Sequence, residues 1–128
     1  MADTTIDQLA DEITRAVREY TQDVTEGIEE ETLSTADKVL KEVKVLARKR
    51  SGEYAKGFTK TEKRFPENRR YYVWNKKHYR RVHILEYGHA KVGGGRVQAY
   101  PHLDPAHEKY AGEFEENIKR IIQNGGRR

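Results

Sequence analysis

The chain has 128 residues, of which 35% are hydrophobic and 36% are charged, and its formal net charge at pH 7 is +4. This length predicts one domain, and the small apolar fraction leaves little material for a large core, so some apolar surface is expected to be buried between subunits. The lack of cysteine excludes disulfides, thiolate zinc sites and cysteine nucleophiles, and the lack of a membrane-spanning run or signal-peptide pattern predicts a soluble cytoplasmic product without a membrane partner.

The charges are unevenly distributed along the chain. Residues 1–31 contain ten acidic and two basic residues, a net charge of −8, whereas residues 32–128 contain 11 acidic and 23 basic residues, a net charge of +12. The basic part could contact nucleic acid. Association of identical subunits would use the same asymmetry, because the acidic segment has a basic complement in its own chain.

The N-terminal third has the apolar periodicity of a helix. Apolar residues recur at steps of three and four between Ile6 and Ala47. Thr4 or Thr5 can cap the start, and Gly52 can stop the helix. Four basic residues suit the negative end of the helix dipole: Lys44, Arg48, Lys49 and Arg50.

Gly27 is a predicted break or kink in this helix, because glycine costs about 1 kcal/mol relative to alanine in a helix interior. The region is therefore expected to form two helices or one long bent helix. A continuous helix would reach about 65 Å, longer than so small a domain needs. Its excess length would serve as an arm for neighbouring subunits. The alternative is a helical hairpin folded over the sheet of its own chain.

The middle of the chain has the pattern of an antiparallel strand pair. Residues 54–64 and 71–74 are predicted strands, and the segment between them contains a turn at Phe65-Pro66-Glu67-Asn68. Side chains alternate between the faces of a strand, so about half of the Tyr71-Tyr72-Val73-Trp74 run should face the core. Residues 38–81 hold sixteen Lys or Arg and four Glu, and basic residues interleaved with aromatics can bind single-stranded nucleic acid.

The C-terminal half is predicted to contain a short helix, a glycine-tipped loop and a last helix. The short helix spans residues 80–87, buries Val82 and Leu85, and is followed by Gly88 in a left-handed conformation. Residues 90–98 form the loop and return into a short strand. The last helix starts with Asp104 as its cap and Pro105 at its first position. Its predicted buried face consists of Ala106, Tyr110, Phe114, Ile118, Ile121 and Ile122.

Together these elements predict an α+β fold with a long N-terminal helix or helix pair, a small antiparallel sheet, a short crossing helix and a C-terminal helix. The predicted division is a helical N-terminal arm over residues 1–50, an α+β core over residues 51–124 and a flexible basic tail over residues 125–128.

Three segments of the chain form a recognisable pattern. They are Leu85-Glu86-Tyr87-Gly88-His89-Ala90, Pro101-His102-Leu103-Asp104-Pro105-Ala106 and Ser51-Gly52-Glu53-Tyr54-Ala55-Lys56-Gly57-Phe58. In order and spacing they resemble the small head-tail joining proteins (neck or tail-completion proteins) of tailed bacteriophages and prophages. The resemblance covers residues 52–122. Arg81 and Ser51 depart from it, since relatives often carry a small or polar residue and a threonine there.

The resemblance implies a structural protein without catalysis, cofactor or metal. It implies a homo-oligomeric ring between the head connector and the tail, with a head-closure protein and tail terminator or tail tube proteins as partners. Nonspecific contact with DNA in the lumen is possible in such a ring. The implied location is the host cytoplasm during assembly and then the head-tail junction of the virion.

Two sets of residues follow from the family pattern. The expected partner-contact residues are Glu86, Gly88, His89, Lys91, Gly93, Gly94, Gly95 and Arg96. The expected structural residues are Tyr54, Gly57, Leu85, Pro101 and His102. Hydrogen bonds from the side chains of His89 and His102 to the backbone are expected to hold the glycine loop and the Pro-His segment together.

Two other functions are weighed against this one. A small basic nucleic-acid-binding protein is the main alternative, although no recognition-helix or finger pattern occurs. A metal-dependent nuclease is the third, because five histidines lie within thirty residues: His78, His83, His89, His102 and His107. Their spacings do not match a helical zinc motif, and Gly93-Gly94-Gly95 lacks the Lys-Ser or Lys-Thr of a phosphate-binding loop.

Overall fold

The structure, a computed structural model, describes residues 5–47, 52–66 and 69–127 and has the predicted α+β architecture. The helices and strands, in chain order, are α1 Ile6–Leu46, α2 Glu53–Lys56, β1 Phe58–Arg64, β2 Arg69–Asn75, α3 Val82–Tyr87, β3 His89–Ala90, β4 Arg96–Val97 and α4 Leu103–Gln123. A 3₁₀ turn at Tyr79–Arg81 precedes α3.

Helix α1 is one continuous helix of 41 residues. Thr5 is its N-cap, as predicted, and a capping box forms because the Thr5 side chain accepts from the backbone of Gln8 while the Gln8 side chain accepts from the backbone of Thr5. The helix ends at Leu46, and Lys44 is the basic residue of its last turn. The other three basic residues predicted for this end, residues 48–50, lie outside the described part of the chain.

Helix α4 packs antiparallel along α1 from Tyr20 onward. Polar contacts between the two helices run in opposite order along the chain: Tyr20 Oη to Ile122 O at 2.7 Å, Asn117 Nδ2 to Glu31 Oε1 at 2.9 Å, Lys38 Nζ to Glu113 Oε1 at 3.2 Å and Lys109 Nζ to Glu42 Oε2 at 3.2 Å. These contacts begin at Tyr20. The first part of α1 therefore extends past the end of α4.

Of the two alternatives expected around Gly27, the structure has the single long helix and not the helix pair. Gly27 is a close-contact residue inside this continuous helix. A Cβ atom at Gly27 would lie 2.9 Å from Gly126 O and 2.9 Å from Ile121 Cγ2. Glycine is present because the end of α4 passes directly over this turn of α1.

The end of α4 is an ordered Schellman motif. The Gly126 N–H donates to Ile121 O at 2.8 Å and the Gly125 N–H donates to Ile122 O at 3.4 Å. Gly126 also lies against the backbone of Asp23 in α1. Residues 125 and 126, predicted to belong to a flexible basic tail, are thus part of the packed body.

This contact predicts opposite effects for two glycine-to-alanine substitutions. Gly27→Ala should destabilise the protein, because overpacking costs about 1–3 kcal/mol and outweighs the gain in helix propensity of about 1 kcal/mol. Gly112→Ala in α4 should stabilise it by about 0.5–1 kcal/mol, since nothing lies within 4 Å of a Cβ there. Urea unfolding measures both. Stabilisation by Gly27→Ala would contradict the close contact.

The hydrophobic core lies where α1, α2, β1 and α4 meet. Its buried apolar residues are Val43, Ala47, Ala55, Phe58 and Ala106, and a second contact between α1 and α4 buries Ile121. Six buried apolar residues among the described ones make a small core, in line with the apolar content of the sequence.

Strands β1 and β2 form a two-stranded antiparallel sheet in which Phe58 pairs with Asn75 and Arg64 with Arg69. One face packs on α1, since Lys60 contacts Asp37 and Arg69 Nε lies 3.7 Å from Glu29 Oε2. The other face carries Tyr72 and Trp74 and is exposed. The predicted alternation of faces is therefore correct, and residues 67–68 of the predicted turn lie outside the described residues.

Several local predictions need correction. Residues 54–56 belong to α2 and not to the first strand. Helix α4 begins at Leu103, before the predicted Asp104 cap. In α3 the buried residue is Glu86, and Leu85 is only half-buried. On α4, Ile122 is 45% exposed, so it does not belong to the buried face.

Candidate functional site

Three polar side chains from distant parts of the sequence meet in the core. Tyr54 is in α2, Glu86 in the last turn of α3, and His102 just before α4. His102 Nδ1 lies 2.7 Å from Tyr100 O and 3.0 Å from Glu86 Oε1, and His102 Nε2 lies 2.7 Å from Tyr54 Oη. A carbonyl can only accept, so Nδ1 carries the proton, and in the neutral ring Nε2 accepts from the Tyr54 hydroxyl.

The Glu86 carboxylate caps the start of α4. Glu86 Oε1 accepts from the N–H groups of His102 at 2.9 Å and Leu103 at 2.8 Å, and Oε2 accepts from that of Asp104 at 3.1 Å. These donors point at the carboxylate because the first turn of a helix leaves its N–H groups without partners, and the positive end of the helix dipole favours a negative charge there.

The local environment shifts the pKa of two of these groups. Burial alone would raise the pKa of Glu86, but the three backbone N–H donors, together with the electrostatic interaction with the His102 ring, outweigh it, and the pKa is lowered. Burial, and then the nearby charge of Glu86, raises the pKa of Tyr54 to about 12. Glu86 is therefore a carboxylate and Tyr54 a neutral hydrogen-bond donor at neutral pH.

This network holds elements of the fold together. The side chains of Glu86 and His102 are 2% and 1% exposed, so neither presents reactive atoms to a substrate. The partner-contact role predicted for Glu86 does not fit this burial. The predicted structural role of His102 fits, since its ring joins α2 to the segment before α4.

The other residues of the predicted structural set differ in their surroundings. Gly57 is buried against Asn75, and a Cβ atom there would overlap the Asn75 side-chain amide. Leu85 contributes its backbone, because Leu85 O accepts from the Tyr100 N–H at 2.7 Å. Pro101 is exposed.

The remaining predicted contact residues form a small hairpin. Strands β3 and β4 pair antiparallel, with His89 opposite Val97. His89 is exposed and lies outside the Tyr54–Glu86–His102 network, contrary to its predicted role of fixing the loop. Gly88 has φ +71°, and a Cβ atom there would overlap Val97 O, so the hairpin base requires glycine.

The hairpin tip consists of residues 91–96 and is exposed throughout. Gly93, Gly94 and Gly95 have positive φ and nothing within 4 Å of a Cβ position. Val92 projects fully into solvent. Lys91 and Arg96 are the first and last residues of the tip. The exposed Val92 side chain therefore lies between two cations in the sequence of the tip.

A second exposed feature is the free part of α1, residues 5–19, which we call the arm. Its apolar stripe has no cover within the described part of the chain: Ile6 is 86%, Leu9 50%, Ile13 55% and Val17 57% exposed. The stripe runs on through Tyr20 into the part of α1 that packs on α4. One part of the same helix face thus packs in the body and the other part lies in solvent.

A third feature is the side of the β1–β2 sheet that points away from α1, which we call the outer face. It carries Tyr72, Trp74, Lys63 and Arg70. Lys63 Nζ lies 5.5 Å from the centre of the Tyr72 ring, and Trp74 Nε1 donates to Thr61 Oγ1 at 2.7 Å. The aromatic residues Tyr72 and Trp74 are 41% and 38% exposed, so the face is both basic and apolar.

An open apolar groove lies on the opposite side, between α1, β2 and α4. Its volume is about 410 Å³, and its lining includes Ala36, Val39, Val73, Ala111 and Phe114. Glu26, Glu29 and Glu30 of α1, together with Arg69 of β2, line a smaller depression that shares Tyr71 with this groove. The groove therefore has an acidic neighbour.

Among the residues that the structure describes, no group of three or more histidine, aspartate and glutamate side chains is placed to hold a metal ion. The five histidines are thus not assembled into a cluster there. Within the same residues, no helix has the length and apolarity needed to cross a membrane.

Two features of the structure could not be seen in the sequence: the extent of the free stripe on α1 and the capping role of Glu86. The apolar periodicity of α1 was visible, but it does not say where α4 ends and so which half of the stripe is free. The capping role of Glu86 was also missed, because the helix that it caps begins 17 residues later. Comparisons with protein-family models, curated proteins and solved structures find no match for this chain.

Proposed function

We propose that this chain is a structural subunit that joins head and tail in a tailed bacteriophage, a prophage or a phage-tail-like particle. It acts by binding, without catalysis, as one member of a ring between the head connector and the tail. Head-closure or connector proteins lie on one side, and tail terminator or tail tube proteins on the other. The proposal is supported by the three sequence segments that resemble neck and tail-completion proteins.

The free apolar stripe of the arm is the observation that carries this function. Four large apolar side chains lie exposed along one face of a helix. A contiguous exposed apolar surface of this kind marks a protein interaction site. An assembly subunit with a small core of its own can bury such a stripe only against another protein, which is how a ring would gain stability that the single chain lacks.

The arm can be tested with a matched pair of substitutions. Ile13→Asp places a charge in the apolar stripe, and Thr14→Asp places the same charge about 100° further round the helix. In a complementation assay for particle assembly, we expect Ile13→Asp to leave unjoined heads and tails while Thr14→Asp supports normal joining.

Both variants should fold, because both sites are exposed, and circular dichroism checks this. Equal particle yields from the two variants would show that the apolar stripe is not used in joining. Unjoined particles from both would point to a general intolerance of the arm to added charge.

A second function, nucleic-acid binding, is favoured by one specific observation. Residues 69–85 contain six Lys or Arg and no Asp or Glu, and Tyr72, Trp74 and Tyr79 within this segment are exposed. Exposed aromatics beside cations can stack on the bases of single strands. Binding of an oligonucleotide by the purified protein, weakening steeply with salt, would support this function in place of the first.

A further inference from the structure

We propose that the arm of one copy of this chain lies across the outer face of the next copy. The inference deepens the proposed function, on which its place in a ring depends, by naming the two surfaces that join neighbouring subunits. The partner of the arm is therefore a second copy of this chain.

The two surfaces are complementary in charge. Glu12 and Glu19 border the apolar stripe of the arm on one side, at about 100–120° from Ile13, whereas Arg15 and Arg18 lie about 140–160° away on the far side of the helix. The side of the arm that would meet a partner is thus apolar and acidic. The outer face is apolar and basic, with Lys63 and Arg70 beside its exposed aromatic rings.

Topology requires this contact to be made between two copies. Helix α1 packs on the inner face of the sheet through the contacts of Lys60 with Asp37 and Arg69 with Glu29. The sheet therefore lies between α1 and the outer face of the same chain. Since the arm continues the axis of α1, it lies on the inner side of its own sheet and can cover the outer face only of another copy.

The dimensions of the two surfaces also match. The 15 residues of the arm span about 22 Å at 1.5 Å per residue. Strands β1 and β2 have seven residues each, which corresponds to about 23 Å. One arm can therefore cover the length of one sheet.

The apolar groove between α1, β2 and α4 is a poorer partner for the arm. Its neighbouring depression is lined by Glu26, Glu29 and Glu30 against one cation, Arg69, and is therefore net acidic. These carboxylates would lie close to the acidic border of the arm, and juxtaposed like charges disfavour association. The outer face has no such carboxylates among the described residues of the two strands, because Glu62 points to the side of Arg69.

An arm placed on the face of the next copy makes a heterologous contact, in which each subunit uses two different surfaces. Contacts of this type close into a ring when the rotation between subunits allows it, and otherwise extend into a filament. The proposed contact is thus of the type that a ring between head and tail needs.

The absence of native cysteine allows a direct crosslinking test. Ile13→Cys marks the arm, Tyr72→Cys marks the outer face, and Ala111→Cys marks the groove. Full-length single-cysteine proteins, one of each pair carrying a mass tag, are mixed and treated with a short bismaleimide. We expect the arm–face pair to give the dominant crosslinked species, well above the arm–arm and arm–groove pairs.

Charge variants then test the complementarity. Glu12→Lys with Glu19→Lys should reduce the arm–face product about tenfold, as expected for loss of favourable charge pairs at an interface. Lys63→Glu with Arg70→Glu on the partner should restore it. Circular dichroism of each variant verifies folding, and rescue by the reversed pair separates charge pairing from misfolding.

A dominant arm–arm or arm–groove product, or no intermolecular product, overturns the inference. The same holds if an oligonucleotide, and not a second copy, protects the thiol of the Tyr72→Cys variant from labelling, since nucleic acid would then occupy the face. The proposed function and the proposed interface can be rejected independently of each other. Loss of head-tail joining in Ile13→Asp without an arm–face crosslink would keep the function and reject the interface, and the reverse result would keep the interface and reject the function.

Discussion

Replacing Glu86 by glutamine is expected to lower the free energy of unfolding by roughly 3 kcal/mol, because buried donors are then left without full partners. The carboxylate accepts three backbone N–H groups at the start of α4. An amide has only one acceptor oxygen, and its NH₂ group would face an N–H donor. The charge that favours the helix N-terminus is also lost.

The same carboxylate predicts the pH dependence of stability. Because the pKa of Glu86 is lower in the folded protein than its ordinary value of 4.5, folding favours the ionised form. This contribution is fully present above about pH 4.5 and is lost as the pH falls through the lowered folded-state pKa. Urea unfolding between about pH 7 and pH 2 measures it.

Glu108→Gln is the control, since Glu108 is an exposed carboxylate on α4. It should leave both the stability at neutral pH and the acid transition close to those of the wild type. A Glu86→Gln protein as stable as the Glu108→Gln protein at neutral pH would rule out the capping role.

The second large effect is expected for Phe58→Ala, which should cost about 3–5 kcal/mol, as for other buried phenylalanines. Phe58 is 2% exposed and its ring packs edge-on against Tyr54 at 5.2 Å and His102 at 5.6 Å between ring centres. Truncation would leave a cavity in a small core and remove support from the hydrogen-bonded histidine.

Phe65→Ala offers a control of the same residue type. Phe65 follows the end of β1 and is 42% exposed, so its truncation should change the free energy of unfolding far less. Denaturant unfolding at neutral pH compares the two. A similar decrease in the free energy of unfolding for both variants would show that the packing around Phe58 does not dominate the stability of the core.

The elements of the fold could largely be predicted from the sequence where the signal is local. The 3.6-residue periodicity of α1 and α4, the capping residue Thr5 and the β-favouring run at Tyr71–Trp74 each act through neighbours in sequence. The strand prediction for residues 54–56 failed because a four-residue helix has too few residues to show a period.

Features that depend on distant partners could not be predicted in the same way. Gly27 resembles a helix breaker in sequence, and only the passage of Gly126, 99 residues later, explains it as a packing glycine. Asp104 is well placed as a local cap, but Glu86 of another helix supplies three hydrogen bonds and moves the start of α4. A single sequence contains no direct record of such contacts.

The candidate surfaces were partly predictable. The glycine-rich tip and its flanking Lys91 and Arg96 are exposed as their composition indicates. The acidic arm was also expected from the charge distribution. The length of the arm was not predictable, because the free segment ends where α4 ends. The outer face without carboxylates was not predictable either, because it depends on which side of the sheet α1 covers.

Helix α1 runs without interruption from the arm into the packed body. The reach of the arm, meaning how far its tip extends from the body, is therefore coupled to the direction in which its apolar stripe faces. Each residue inserted between the two parts would advance the tip by about 1.5 Å and turn the apolar stripe by about 100°. Seven residues return the stripe to within about 20° of its starting direction. An arm that must keep facing the same way can therefore change its reach only by insertions or deletions close to whole helical turns, of which seven residues and about 10 Å is one, so subunit spacing in an assembly built on it is quantised by the helical repeat.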